Sequence, residues 1–201
     1  VQTIAVGAGG LPDVRDPVIL DATTQPGYAG SPIIQLDGTG ATGSTAGIYL
    51  RGVSRCTVRG FIVHSFPDEG IEIDATLAAA SSNTIQNCWI GINASSNAAG
   101  NADVGLLITD GATHNLVGGT NAAARNVISA NNTGVLIRDK LLPGTEYNRV
   151  EGNYIGTDPS GLLDRGNTTD GVTIRDGAEH NTIGGTTAVQ GVSEGMRSAS
   201  E

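Results

Sequence analysis

"NTIQNCWIGIN", from Asn83 to Asn93, returns 65 residues later as "NRVEGNYIGTD", from Asn148 to Asp158. Asn, a branched apolar residue, an aromatic, Ile and Gly fall at the same offsets in both. A phrase written twice makes internal repetition the first question, because a missed period misassigns the whole fold. Shorter copies lie between the two. Gly-apolar-x-apolar occurs as GIYL (47–50), GIEI (70–73), GLLI (105–108), GVLI (134–137) and GVTI (171–174). After a variable turn, Asn-x-apolar follows at Asn83, Asn115, Asn148 and Asn181, with Cys56 in that place in the first unit. A third apolar segment closes each unit: FIV (61–63), WIG (89–91), NVI (126–128) and YIG (154–156).

Each unit thus holds three strands of about three residues, and alternation within GIEI or GVTI has the period of two expected of strands. No stretch keeps a helical period, and the alanine runs at 78–80 and 122–124 are too short for a helix. Unit starts are 23, 35, 29 and 37 residues apart, so a minimal rung is about 22 residues and the excess lies in loops. One such rung cannot bury its apolar side alone. Stacked at about 4.8 Å, successive rungs pair equivalent strands and form an all-β parallel β-helix. Equal offsets then become columns. Ile48, Ile71, Leu106, Val135 and Val172 form one inward column; Leu50, Ile73, Ile108, Ile137 and Ile174 form its partner. Ile62, Trp89, Val127 and Tyr154 align where the third strand enters a turn.

Asparagine tolerates left-handed backbone and bonds its neighbours through its amide. An Asn at each tight corner can bond the Asn of the next rung. Asn83, Asn115, Asn148 and Asn181 are expected to form one such ladder, and Asn126 and Asn153, with Cys88 at the same offset, a second. The phrase therefore reads as architecture. It recurs every second rung because rungs alternate, giving a two-rung super-repeat of about 65 residues: "DGATHN" (110–115) echoes in "DGAEHN" (176–181), and "GGT" (118–120) in "GGT" (184–186). Two long loops, 92–103 and 157–170, fall two rungs apart on one flank, about 10 Å from each other, where they can wall a shallow groove. Residues 1–190 read as one domain, with 1–45 an irregular first rung carrying long insertions and 46–190 regular rungs. Regularity is expected to stop near Gly185 to Gln190, leaving 191–201 as a frayed tail. The abrupt start and the broken last copy suggest that further rungs of a longer parent chain adjoin this one.

Net charge is −9 and the 11 basic residues are scattered, which argues against nucleic acid as a partner. No apolar run approaches the 18 residues of a membrane span. Glycine is abundant, at 30 residues, and aromatics are only 3%, which predicts a thin, layered core. Cys56 and Cys88 have no metal-binding spacing and read as buried thiols.

"PVILDATTQPGYAGSPIIQLDGTGA", "NVISANNTGVLI", "GNYIGTDPSG" and "HNTIGGT" closely resemble bacterial right-handed β-helix repeat proteins of the pectate-lyase-like superfamily, over residues 2 to about 188. The resemblance implies right-handed winding and a secreted or cell-surface location. The superfamily holds polysaccharide lyases and glycoside hydrolases as well as adhesins, so fold alone does not assign activity.

Asp110, Asp139 and Asp176 share an offset and are the calcium candidates, since stacked oxygen ligands suit a hard cation. Their other reading is a turn column, because Asp-Gly is a turn signal and Arg138 and Arg175 adjoin it. The outward column of the first strand is Tyr49, Glu72, Leu107, Leu136 and Thr173, with the leucines expected to pack under a loop. His64 stands alone at a strand end, and His114 and His180 lie too far apart, two rungs, to share one metal. Asp68-Glu69 and Asp158 with Asp164 read as solvated loop acids. No catalytic set emerges and no cofactor is required, with calcium the one candidate ion. Three readings remain: a structural or interaction segment of a secreted or surface protein that contacts polysaccharide or another surface protein; a lyase or hydrolase fragment acting on acidic glycans; and a calcium-stabilised carbohydrate-binding module.

Overall fold

The three-strand rung is realised as three parallel sheets in a computed structural model that describes residues 1–184. The first sheet stacks β4 (Ile48–Arg51), β7 (Ile71–Asp74), β10 (Val104–Thr109), β13 (Thr133–Arg138) and β16 (Asp170–Arg175). The second stacks β2 (Ile19–Asp21), β5 (Thr57–Arg59), β8 (Thr84–Gln86), β11 (Leu116–Gly118), β14 (Arg149–Glu151) and β17 (Thr182–Ile183). The third stacks β1 (Gln2–Ala5), β3 (Ile34–Asp37), β6 (Phe61–His64), β9 (Trp89–Ile90), β12 (Val127–Ile128) and β15 (Tyr154–Ile155). The chain visits first, second and third sheet in turn, rung after rung. The alanine run at 122–124 makes one 3₁₀ turn capped by the Asn121 side chain.

Register turns the sequence columns into vertical neighbours. Ile48, Ile71, Leu106, Val135 and Val172 pair in succession, as do Leu50, Ile73, Ile108, Ile137 and Ile174. In the second sheet Leu20, Val58, Ile85, Val117, Val150 and Ile183 form the inward column. In the third sheet Val63, Ile90, Ile128 and Ile155 face inward, so the aligned Ile62, Trp89, Val127 and Tyr154 face the other way. Arg125 lies over the Tyr154 ring, 4.1 Å from its centroid. Aliphatic side chains of four columns thus fill the interior, and Phe66 is the one aromatic among the largest fully buried side chains of the described residues.

Each of the three corners carries hydrogen-bonded asparagines. Between first and second sheets, the backbone N–H groups of Cys56, Asn83, Asn115 and Asn148 donate to the Oδ1 of Asn83, Asn115, Asn148 and Asn181, each at 2.9 Å. The amide nitrogens reach back: Asn115 Nδ2 donates to Ala80 O at 3.1 Å and to Asn148 Oδ1 at 2.9 Å. Between second and third sheets, Cys88 N–H donates to Asn126 Oδ1 and Asn126 N–H to Asn153 Oδ1. The third corner holds Asn101, Asn131 and Asn167 in the same pattern, with Phe66 at its base. This column was not foreseen, because Asn101 and Asn167 read as ends of variable loops. Its effect explains the glycine at the start of β7, β10 and β13. A Cβ on Gly70, Gly105 or Gly134 would run into the amide of Asn101, Asn131 or Asn167 and a neighbouring carbonyl.

Two expectations need correction. The left-handed residue at the first corner is not the asparagine but the residue before it: Arg55, Ser82, His114, Tyr147 and His180 all have φ between 55° and 64°. The asparagine stays in ordinary backbone because its amide must point along the stack. Residues 1–45 also hold more than one rung. β1 pairs with β3, and Val14 bridges Leu50, so β1 is the third-sheet strand of a rung beneath the one formed by Val14, β2 and β3. The long insertions had hidden that period. The expected end of regularity at 185–190 and the tail at 191–201 lie outside the described residues.

Cys56 and Cys88 are free and buried at the bases of two columns. Cys88 Sγ lies 3.8 Å from Val58 O, the counterpart of the carbonyls that accept from Asn126 and Asn153 Nδ2, and burial pushes its thiol up to about 12. Asn115→Ala is expected to lose about 2–5 kcal/mol in urea denaturation, because it strands two buried backbone groups. Cys88→Asn, which supplies the amide that the column lacks there, is expected to hold or raise the midpoint.

Candidate functional site

Most polar side chains in the stack serve its own backbone; a group of acids beside the first sheet does not. The run "DEGIEID" (68–74) carries Asp68 and Glu69 at the corner entering β7, Glu72 on its outward face and Asp74 at its end. The loop that ends at Asp103 folds against the same corner, Asp103 N–H donating to Asp68 O at 3.1 Å and Ala102 N–H to Phe66 O at 2.8 Å. One carboxylate oxygen from each of Asp68, Glu69 and Asp103 lies within 4.8 Å of the others. Glu72 stands in the outward column between Tyr49 and Leu107. Beyond it Leu107 and Leu136 are 1% and 4% exposed and form a second apolar cluster with Val104.

Crowding and burial set the electrostatics. Glu69, 6% exposed, is pushed up to about 7, first by burial and then by Asp68. Glu72 is pushed up to about 8 by burial and then by Glu69, Asp74 and Asp68, with Arg138 pulling the other way. Asp68 is raised by burial and by Asp103. Among the described residues no Lys, Arg or His comes within 4.0 Å of the carboxylates of Asp68, Glu69, Glu72 or Asp103. Asp74 differs: it accepts from Tyr49 Oη at 2.7 Å and from Thr76 N–H and Oγ1 at 2.6 Å, and Arg51 Nε is 3.8 Å away. Carboxyls that hold protons near neutral pH can both donate and accept hydrogen bonds, which suits hydroxyl-bearing ligands and general-acid chemistry alike.

The residues singled out from sequence fare differently. Asp110, Asp139 and Asp176 follow paired positions of β10, β13 and β16, yet their carboxylates do not converge with one another as a group. Asp110 Oδ1 accepts from the N–H groups of Leu141, Leu142 and Lys140; burial raises its carboxyl, and these amides with the Thr109 hydroxyl outweigh burial and hold it low. Asp139 accepts from Gly144 and Thr145 N–H at 3.0 and 2.9 Å. Asp176 lies 3.4 Å from Arg175 Nε. Backbone amides occupy the carboxylates of Asp110 and Asp139, which favours the turn reading at those two. Asp158 caps its own loop through Ser160 Oγ and the N–H groups of Leu162 and Leu163. His64 is buried, its Nδ1 2.9 Å from Ser65 Oγ. The long loops touch, Arg165 Nε donating to Ser96 O at 3.1 Å, where a groove between them was expected. Glu69, read as a solvated loop acid, is buried instead; only the fold reveals that the corner encloses it and that Asp103 arrives beside it from a different rung. A second convergent group, Glu146, Glu179 and His180, sits at the first corner.

Three parallel sheets wound by one strand each per rung define a parallel β-helix. The chain belongs to the right-handed β-helix family: the model of the "Right handed beta helix region" matches residues 35–188. No curated protein and no solved structure matches the chain. No helix among the described residues is long and apolar enough to cross a membrane.

The raised carboxyls fix the pH profile of stability. Between their ordinary 4.5 and about 8, folded Glu69 and Glu72 hold protons that the unfolded chain has released, so stability falls as pH rises through that window. On the acid side, Asp21 beside Arg59 and Asp37 bonded by the Thr39 hydroxyl sit below the usual carboxylate range, and their contribution is lost as pH falls. Melting temperature is expected to peak at about pH 5. Glu72→Gln is expected to raise it by roughly 2–4 °C at pH 8 and to leave it unchanged at pH 5. Calorimetric melts of both proteins across pH 4–9 provide the check.

Proposed function

We propose that this β-helix is an interaction domain of a secreted or cell-surface bacterial protein, and that it contacts a neutral glycan through the outward face of the first sheet. One observation carries the reading. Asparagines and turn aspartates throughout the stack are hydrogen-bonded to backbone, whereas Asp68, Glu69, Glu72 and Asp103 crowd together against their mutual repulsion, with no basic group among the described residues within 4.0 Å of them. Ionisable groups held at an energetic disadvantage cluster where a protein binds or reacts. Tyr49 and the Asp74 carboxylate it bonds border the same face and add polar groups of fixed orientation. A net charge of −9 repels polyanionic glycans and favours a neutral ligand.

A second reading, glycoside hydrolysis, is favoured by Glu69 and Glu72 holding protons near neutral pH, as a general acid must. Binding to immobilised neutral and acidic glycans, followed by reducing-end release from those retained, separates the two. Retention of a neutral glycan, lost at least tenfold in Glu72→Ala with no sugar released, supports the interaction reading. Release of sugar abolished in Glu69→Gln or Glu72→Gln replaces it with the enzymatic one. Absence of both overturns the assignment of this face.

A further inference from the structure

The corner between first and second sheets carries two columns ahead of its asparagines. One is the left-handed series Arg55, Ser82, His114, Tyr147 and His180. The residue before each gives the other: Ser54, Ser81, Thr113, Glu146 and Glu179, with Ser81 bridging Thr113 and Glu146 bridging Glu179. In the lower rungs small hydroxyls suffice, Ser54 Oγ and Ser81 Oγ lying 3.2 Å apart. The corner therefore does not require glutamates. Where they occur they are paired directly on adjacent rungs, an arrangement of like charges that is unfavourable by itself. Among the described residues the basic side chain within 4.0 Å of both is His180.

We propose that Glu146, Glu179 and His180 bind one divalent transition-metal ion of the zinc class. His180 Nδ1 lies 3.4 Å from Glu146 Oε2 and 3.8 Å from Glu179 Oε1, and one donor atom from each residue falls within 4.8 Å of the other two. Donors about 2.0–2.1 Å from a tetrahedral zinc stand roughly 3.3 Å apart, close to the shorter of these separations. An imidazole nitrogen with two carboxylates is a zinc-type donor set, whereas calcium draws on six to eight oxygens. The ring is held in place without the metal. His180 stacks on Tyr147 with centroids 5.3 Å apart and planes 19° apart, and Tyr147 meets His114 at 5.2 Å. Asn181 Nδ2 donates to Glu179 O at 2.9 Å and fixes the backbone that carries two of the ligands. His114 and His180, two rungs apart, do not share the ion; Tyr147 lies between them and the second rung supplies Glu146. The fourth position faces solvent, since Glu179 and His180 are 70% and 55% exposed. The site lies at a different corner from Asp68, Glu69 and Asp103 and does not depend on the glycan reading.

Chelator-stripped protein titrated with zinc chloride in a calorimeter is expected to bind one ion per chain, and cobalt(II) is expected to give visible d–d absorption that zinc abolishes. A hundredfold excess of calcium or magnesium is expected to leave zinc binding intact. Glu146→Gln with Glu179→Gln, and separately His180→Ala, are expected to weaken binding at least tenfold, while His114→Ala keeps it. Circular dichroism melts verify that each variant is folded. Absence of zinc binding, binding indifferent to the two glutamates, or equal competition by calcium overturns the proposal.

Discussion

A stack of parallel strands satisfies its peptide groups along the sheets but leaves them stranded at the corners, where the chain turns and no neighbour is in register. Buried peptide groups without partners are costly. Here that constraint is met by asparagine amides, one column at each corner. Each Oδ1 accepts an N–H from the rung below, and each Nδ2 returns a bond to a carbonyl of that rung. Sheets and corners are thereby tied into one hydrogen-bonded unit, and the interior can be built from small aliphatic columns.

That device also dictates residues other than the asparagines themselves. Glycine stands at the start of β7, β10 and β13 because an amide from the next rung occupies the space of its Cβ. Cysteine at positions 56 and 88 is small enough for the column site, and its thiol stands where an amide nitrogen otherwise would. The residue before each first-corner asparagine absorbs the left-handed turn, which points its side chain out and leaves its identity free. Along that series the chain places Arg, Ser, His, Tyr and His. A corner locked by one residue thus leaves its neighbour available for chemistry.

Against this background the two clusters of ionisable groups differ in origin. Asp68, Glu69 and Glu72 come from one short run, but Asp103 reaches them from the end of a loop one rung away. Glu146 and Glu179 are equivalent positions brought together by stacking, and His180 is positioned by the turn that its own asparagine closes. In both, helical rise converts a sequence separation of about one rung into contact.

The repeat period, the strand triplets, the inward columns and two of the three asparagine columns were legible in the sequence, because each depends on offsets along the chain that stacking preserves. The third column was hidden: Asn101 and Asn167 follow loops of variable length, so they share a spatial position without sharing an offset from the strand before them. The calcium candidates Asp110, Asp139 and Asp176 show the converse, an equal offset whose carboxylates turn to separate partners: the next rung's backbone for Asp110, its own loop's backbone for Asp139 and Arg175 for Asp176. Burial of Glu69, its approach to Asp103 and the placement of Tyr147 between two histidines were decided only by the tertiary structure. The physical reason is that periodicity specifies which residues are neighbours up and down the stack, whereas the path of each loop and the direction of each side chain at a corner depend on contacts that close only when the rungs are assembled.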